Sequence, residues 1–171
     1  MRSTNLILKF LWFLSLFLVL AGLFYGYYLL PDVVCVKFSH TGSPLEYWER
    51  KYIFYVFAFT FVLFNVLLLA TEKFFQLLPD SKKPLINRVF WLSSPETKEG
   101  IGLLISSWFY SFIFILNVSM LAVFGVVWKV NYDIQSNILQ YTWLLWILIG
   151  LFASWIAYLP IRLSISKLFL N

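Results

Sequence analysis

The chain has 171 residues, of which 61% are hydrophobic, 22% aromatic and only 12% charged, and its formal net charge at pH 7 is +5. Soluble domains carry about 25% charged residues, so this composition excludes an ordinary soluble globular protein. The basic residues are spread through short segments without forming a cluster, which argues against a nucleic-acid-binding protein.

Four apolar segments are long enough to cross a lipid bilayer. A spanning helix needs about 20 apolar residues, and barrel strands would alternate in polarity, which these segments do not. The sequence therefore predicts an all-α integral membrane four-helix bundle that forms one domain over residues 1–171. The predicted spans are about 10–30, 53–70, 101–128 and 138–159, with an outer loop at 31–52 and a cytoplasmic loop at 71–100.

The positions of Lys and Arg predict the orientation of the chain. Short loops on the cytoplasmic side of a membrane are enriched in these residues. The amino terminus, the 71–100 loop and the tail carry nine of them, whereas the opposite side carries four. Both ends are therefore predicted to lie in the cytoplasm, with the 31–52 loop outside. The first span exceeds the about 7–15 apolar residues of a cleavable signal peptide, so we expect it to be retained.

Small residues spaced four apart occur in the first and last spans. Gly22 and Gly26 form one such pair, and Gly150 and Ser154 form the other. This spacing lets helix backbones approach closely. Two interpretations stay open, since the pairs can pack against helices of this chain or against a partner subunit.

Proline residues are predicted to end three spans. Pro31 and Pro79 each follow two leucines, and Pro160 follows Tyr-Leu. Proline cannot continue the hydrogen bonding of a helix and disfavours a helical residue before it. The segment after Pro160 is expected to lie along the inner membrane surface.

The outer loop contains the segment FSHTGSPLEYWERK, which is the most polar stretch between two apolar spans. The Gly-x-Pro sequence predicts a turn that folds the loop back onto the membrane. Trp48 is expected to anchor the loop at the interface, while Arg50 and Lys51 meet lipid phosphates. The loop is thus predicted to form a compact cap that can contact a partner. The residues assigned to the cap are Phe38, His40, Gly42, Pro44, Trp48 and Lys51.

The four predicted spans contain no Asp, Glu, Lys, Arg or His. Pumps, proton-coupled transporters and voltage sensors depend on such groups, so these classes are disfavoured. His40 lies in no known zinc-ligand spacing, and Cys35 has no activating partner, so the sequence predicts neither an enzyme nor a cofactor or metal site. Asn65 and Asn117 lie at similar depth and are predicted to hydrogen-bond between helices, with a ligand or ion contact as the alternative.

The segment SSPETKEG has the features of a helix start. Ser94 is suited to the N-cap, Pro95 to the first helical position, and Glu96 to the positive end of the helix dipole. The helix of the third span is therefore predicted to begin near Pro95.

Two segments carry a resemblance to a known family. The stretch LPDVVCVKFSHTGSPLEYWERK resembles the uncharacterised domain at the N-terminus of bacterial SdpI-type toxin-immunity proteins, and its matching residues are Leu30, Pro31, Val36, Phe38, Gly42, Pro44, Trp48 and Lys51. The stretch INRVFWLSSPE is similar to a segment of short four-span members, with matches at Asn87, Phe90, Trp91, Leu92, Pro95 and Glu96. Lys37 stands where that family usually has histidine.

The resemblance implies a multi-pass protein of the bacterial cytoplasmic membrane that recognises a peptide toxin or signal at its outer face. It also implies a relay to a cytoplasmic regulator through the 71–100 loop. Two alternatives remain, an accessory or structural subunit of a larger membrane complex and, less favoured, a small transporter or channel. The expected partners are the lipid bilayer and a membrane subunit or peptide, without nucleic acid.

Overall fold

The structure is a computed structural model that describes residues 2–133 and 137–165. Its helices and strands are, in chain order, α1 (Arg2–Leu29), β1 (Val33–Phe38), β2 (Pro44–Glu49), α2 (Arg50–Leu77), α3 (Arg88–Trp91), α4 (Pro95–Tyr132) and α5 (Thr142–Ser164). Short 3₁₀ turns lie at Asp80–Lys82 and Ile138–Tyr141. Four helices are long and apolar enough to span a membrane, so the predicted all-α, four-helix membrane architecture is confirmed.

The longest helix, α4, is the central element of the bundle. It packs against α1 along much of its length and against α2 over a shorter stretch, while α5 makes few contacts with the other helices. With 38 residues, α4 is about 57 Å long at the usual rise per residue. It is therefore longer than the hydrocarbon layer of a bilayer, which is about 30 Å thick. We call the end that carries β1 and β2 the outer end, following the predicted orientation.

Apolar side chains fill the bundle in two clusters, one at each end. The outer cluster comprises Val19, Leu23, Leu30, Val34, Ile53, Phe61 and Phe124. The inner cluster comprises Trp91, Ile101, Leu104, Ile105, Phe109 and Leu163. Trp91 is fully buried, and its indole nitrogen donates to the Leu163 carbonyl at 3.0 Å. The short helix α3 thereby joins the inner ends of α4 and α5.

The helix ends follow local sequence signals, with one exception. α1 and α2 end just before Pro31 and Pro79. Ser94 caps α4, because its hydroxyl accepts from the Thr97 amide while the Thr97 hydroxyl accepts from the Ser94 amide. Pro160 does not end its helix, since α5 continues to Ser164. A proline removes one helical hydrogen bond, and membrane helices tolerate that loss.

Two helices continue beyond the predicted spans. α2 extends from Arg50 to Leu77, well past the predicted span of 53–70, so the inner loop begins later than residue 71. The predicted surface segment after Pro160 is helical up to Ser164, and residues 166–171 lie outside the described part of the chain.

The outer loop folds as a two-stranded antiparallel hairpin, which the sequence analysis did not predict. Val34 pairs with Trp48 and Cys35 with Tyr47, followed by an irregularity in register beyond Cys35. The predicted turn is present, and Gly42 adopts a φ of +83°, a conformation that favours glycine. β1 contacts α2 and α4, and Asn131 near the end of α4 bonds Cys35, so the hairpin packs on the outer end of the bundle.

Candidate functional site

A side chain from α4 holds the first strand of the hairpin. The Cys35 amide donates to Asn131 Oδ1 at 2.6 Å, and Asn131 Nδ2 donates to the Cys35 carbonyl at 3.2 Å. The same Nδ2 donates to the Val127 carbonyl at 2.9 Å, which fixes the amide on its own helix. The Asn131 side chain thus makes, at Cys35, the hydrogen bonds that a neighbouring strand would make on the edge of β1 that faces away from β2.

The tip of the hairpin has a second attachment. Asn137 Nδ2 donates to the Thr41 carbonyl at 3.2 Å, while Asn137 Oδ1 accepts from the Leu139 amide at 2.9 Å. Gly42 lies so close to Asn137 that a Cβ at this position would overlap the amide group. The turn is therefore fastened to the segment that precedes α5.

The base of the hairpin is tied by Arg50. Its guanidinium forms an ion pair with Asp32 at 3.1 Å, donates to the Leu30 carbonyl at 3.2 Å and lies over the Tyr27 ring. The described contacts of Arg50 are all within the chain, and its contact with lipid phosphates stays a prediction. The planar guanidinium can serve a carboxylate, a carbonyl and an aromatic face together, which makes Arg50 a clamp between α1 and α2.

A groove of about 530 Å³ lies where β2 meets the first turns of α2. We call it the hairpin groove, and it is lined by Tyr47, Trp48, Glu49, Tyr52, Tyr55 and Val56. Trp48 is 42% exposed and Tyr55 is 60% exposed. Trp48 is nevertheless oriented, because its indole nitrogen donates to Glu46 Oε1 at 2.9 Å. The groove thus presents several aromatic rings on a backbone that is held in place.

Lys51 borders the hairpin groove through an ion pair. Its Nζ lies 2.6 Å from Glu49 Oε2 and above the Tyr52 ring. The pair places one positive and one negative charge at the rim of the aromatic surface.

The other predicted cap residues shape the hairpin without lining the groove. Phe38 ends β1, Gly42 lies in the turn, and Pro44 begins β2. His40 is exposed in the turn, and in the described ranges no three His, Cys, Asp or Glu side chains lie together as metal ligands. Sequence reasoning did not assign Tyr55 to the site. Tyr55 follows Tyr52 by three residues, a spacing that puts both rings on one helix face. This spacing is the sequence signal from which Tyr55 could have been found.

A polar cluster connects α1, α2 and α4 inside the bundle. Asn65 Nδ2 donates to Asn117 Oδ1 at 2.8 Å, so the predicted hydrogen bond between these residues is present. Asn117 Nδ2 donates to Ser15 Oγ at 2.9 Å, and Trp12 Nε1 donates to Asn65 Oδ1 at 3.2 Å. The sequence analysis missed Trp12 and Ser15. Since protein groups bond both amides, the cluster is suited to helix association.

One carboxylate is buried near the inner end of α2. Glu72 is 2% exposed, and its Oε2 has no hydrogen-bond partner within the described residues. Its contacts are weak, with Gln76 Nε2 at 3.4 Å and Lys73 Nζ at 3.7 Å. Sequence reasoning placed residue 72 in a loop, and the extension of α2 brings it into the bundle instead. A buried carboxylate with so few partners contributes little to stability.

The predicted cytoplasmic motif has a packing role at the inner end. Asn87 adopts a left-handed conformation with φ of +55° and precedes α3, while Phe90 and Trp91 pack their rings against each other within it. Pro95 is the first residue of α4. Beside it, a hydrogen bond from Ser94 lowers the pKa of Glu96. These residues shape the connection between α2 and α4.

Ion pairs fasten the inner loop to α4. Asp80 bonds Lys83 at 3.0 Å and Lys98 at 3.1 Å. The hydrogen bonds from Lys83 and then Lys98 lower the pKa of Asp80. Farther along α4, Arg2 Nε donates to Glu99 Oε1 at 2.8 Å, which brings the start of α1 to the same end of the molecule.

The two small-residue pairs have different surroundings. A Cβ added at Gly22 would overlap Leu121, and one at Gly26 would overlap Phe124, so this face of α1 lies directly against α4. Among the described residues, nothing lies within 4 Å of a Cβ built at Gly150. Ser154 is exposed, and its hydroxyl donates to the Gly150 carbonyl of its own helix at 2.7 Å. Packing against this chain's own helices is therefore the wrong interpretation for the pair in α5.

Comparison with known proteins does not assign the chain to a family. It matches no protein-family model, no curated protein and no solved structure. The resemblance to the domain of SdpI-type immunity proteins stays a prediction.

Proposed function

We propose that the protein is a non-enzymatic membrane receptor that recognises a ligand at its outer face, in an immunity or signalling role. The observation that carries this proposal is the hairpin groove, with Tyr47, Trp48, Tyr52 and Tyr55 along its walls. Protein recognition surfaces are enriched in Tyr and Trp, because these side chains bury much area and still offer a polar group.

The fixed position of the hairpin supports a binding role. Asn131 holds β1, Asn137 holds the turn, and Arg50 holds the base. A surface that is ordered before binding loses less conformational entropy when a ligand arrives. The hairpin groove therefore needs little rearrangement to accept a ligand.

The central helix supports a route for a signal. α4 contacts the hairpin through Asn131 and extends to the inner end, where Lys98 and Glu99 bond Asp80 and Arg2. A single helix thus connects the hairpin with the inner loop. A ligand that shifts β1 would act on Asn131 and hence on the inner end of α4.

A channel through one copy of the chain is less well supported. The polar cluster ends at Asn117, and the outer half of the bundle is filled by the apolar cluster that includes Val19, Leu23 and Phe124. Ions need a polar lining to cross a membrane, and the described side chains of this half do not provide one.

A growth experiment in the native host tests the receptor function. Cells that lack the chain are complemented with the wild type, Trp48→Ala or Trp146→Ala and exposed to a panel of membrane-active peptides. Trp146 is the matched control, because it is an exposed tryptophan of α5 that does not line the hairpin groove. The proposal expects altered survival after deletion that wild type and Trp146→Ala restore and Trp48→Ala does not. Equal rescue by both variants would refute it.

An accessory subunit is the second candidate, and the surface of α5 favours it. Gly150 and Ser154 are exposed within an apolar helix, which suits the close approach of a helix from another subunit. Purification in mild detergent tests this role. A stable partner that is lost with Gly150→Leu and retained with Trp48→Ala would favour the accessory function over the receptor function.

A further inference from the structure

The two edges of the hairpin differ in a way that identifies a docking surface. The edge of β1 is closed, because Asn131 bonds both the amide and the carbonyl of Cys35. The sheet has two strands, so the far edge of β2 has no neighbouring strand in the described part of the chain. All six residues of β2 are exposed.

The hydrogen bonds of Cys35 fix the direction of the main-chain groups of Tyr47. In an antiparallel pair of strands, two residues that lie opposite each other form one of two arrangements. Either their main-chain amides and carbonyls bond to each other, or the amide and carbonyl of each residue point away from the other strand. Cys35 is opposite Tyr47, and both of its groups point to Asn131. The amide and carbonyl of Tyr47 must therefore point outward, to the free edge of β2.

A second contact supports this alternation. The Arg50 amide donates to the Asp32 carbonyl at 3.0 Å, which marks a bonded position three residues beyond Tyr47. The main-chain groups of successive residues in a strand alternate in direction. Those of Glu49 therefore point away from β1, those of Trp48 point towards it, and those of Tyr47 point away. The outward direction at Tyr47 thus follows from both ends of the ladder.

The free edge lies beside the hairpin groove. Tyr47, Trp48 and Glu49 belong to β2 and also line the groove. A strand placed at the usual spacing of about 4.8 Å from β2 would direct every second side chain to the same face of the sheet. Main-chain bonding and side-chain recognition are therefore available to one and the same ligand.

We propose that the ligand of the hairpin is an extended polypeptide segment that adds to the free edge of β2 as a third strand, next to Tyr47. This inference rests on the proposed receptor function and names the chemical class of its ligand. Strand addition uses main-chain hydrogen bonds for affinity and side-chain pockets for specificity. A second copy of the chain, which would pair β2 with β2, is a different occupant, and the experiments below distinguish it from a peptide ligand.

A peptide-binding experiment tests strand addition. Purified full-length protein in detergent is applied to an array of peptides of about ten residues that alternate apolar and polar positions. The tightest binder is then resynthesised with a single N-methyl group moved along its main chain. If the peptide adds as a strand, N-methylation at every second residue should weaken its binding by about tenfold, and N-methylation at the residues between should change binding little. The reason is that only alternate peptide amides face β2.

Two variants of Tyr47 test whether its main-chain amide takes part in peptide binding. Tyr47→Ala keeps the outward amide and loses the ring, whereas Tyr47→Pro loses both. An edge strand accepts proline where the amide faces solvent, so the hairpin should remain folded. Protection of Cys35, the only cysteine, from maleimide checks this in both variants. The inference expects about tenfold weaker binding of the peptide by Tyr47→Pro than by Tyr47→Ala.

The outcomes separate this inference from the receptor function. Peptide binding that depends on Trp48 but shows no alternation with N-methylation would overturn strand addition and leave the receptor function standing. The absence of any binding peptide would also overturn it. A complex of twice the chain mass that becomes monomeric with Tyr47→Pro would identify a second copy as the occupant instead. Equal rescue by Trp48→Ala and Trp146→Ala would refute the receptor function itself.

Discussion

The side chain of Asn131 bonds both main-chain groups of Cys35, although the two residues are 96 positions apart in the chain. Cys35 is 6% exposed, so its amide and carbonyl have little access to water. Main-chain groups buried without partners are costly, so the Asn131 amide stabilises β1 over the bundle, in addition to the attachments made by Asn137 and Arg50.

Replacing Asn131 by leucine should loosen β1 around Cys35, while Asn137 and Arg50 still hold the turn and the base of the hairpin. The substitution keeps the approximate shape of the side chain and removes both hydrogen bonds to Cys35. We expect maleimide to label Cys35 about tenfold faster in Asn131→Leu than in the wild type, because local opening exposes the thiol. The labelling rate in detergent micelles is the measurement.

Asn5→Leu is the control for Asn131→Leu. Asn5 donates to Ser107 Oγ at 3.1 Å between α1 and α4 at the inner end, far from the hairpin. Its loss should weaken the bundle without raising the labelling rate of Cys35. Equal acceleration in both variants would mean that Asn131 has no special role at the hairpin.

The buried amide pair should stabilise the bundle as a unit. Asn65→Leu and Asn117→Leu should each lower the free energy of unfolding by about 1–2 kcal/mol, because each leaves the other amide with fewer partners. The double variant should lose less than the two single losses added together. Unfolding by SDS in mixed micelles measures all three. Additive losses would show that the two amides act independently.

Two glycine substitutions should differ in their effect on stability. Gly26→Leu places a side chain into Phe124 and should lower the free energy of unfolding by about 1–3 kcal/mol. Gly150→Leu meets open space and should leave the free energy of unfolding nearly unchanged. Thermal unfolding in detergent compares the two variants directly. A comparable loss with Gly150→Leu would show that α5 packs more closely than described.

Glu72→Gln should leave the protein as stable as the wild type or make it more stable, by about 1 kcal/mol. The substitution removes a buried charge, and its ion-pair partner Lys73 is largely exposed, so no buried charge remains unpaired. Glu99→Gln is the control, since it breaks an exposed ion pair with Arg2 that is expected to matter little. Thermal unfolding at pH 7 is the measurement. A clear loss of stability with Glu72→Gln would assign Glu72 an interaction beyond those described.

Local signals made much of the bundle predictable. Long apolar segments determine spanning helices in lipid, and the start of α4 follows from the short-range chemistry of Ser94 and Pro95. The contact between Asn65 and Asn117 was predictable because unpaired amides are costly inside a membrane, so two at equal depth tend to meet.

Features that depend on distant contacts were not predictable. The strands of the hairpin are fixed by Asn131 and Asn137, which follow nearly a hundred residues later. Gly26 and Gly150 belong to the same kind of motif, and only the packing of the helices decides which one meets a neighbour. Glu72 was assigned to a loop because the length of the apolar segment does not reveal how far a helix continues beyond it.

Labelling of intact cells tests most directly the claim that the hairpin faces outward. Ser43→Cys, in the hairpin turn, and Ser81→Cys, in the inner loop, are each made in a Cys35→Ser background, and both positions are exposed. A membrane-impermeant maleimide should label position 43 in intact cells and position 81 only after the membrane is permeabilised. Labelling of position 81 but not of position 43 in intact cells would contradict the orientation and, with it, recognition at the outer face.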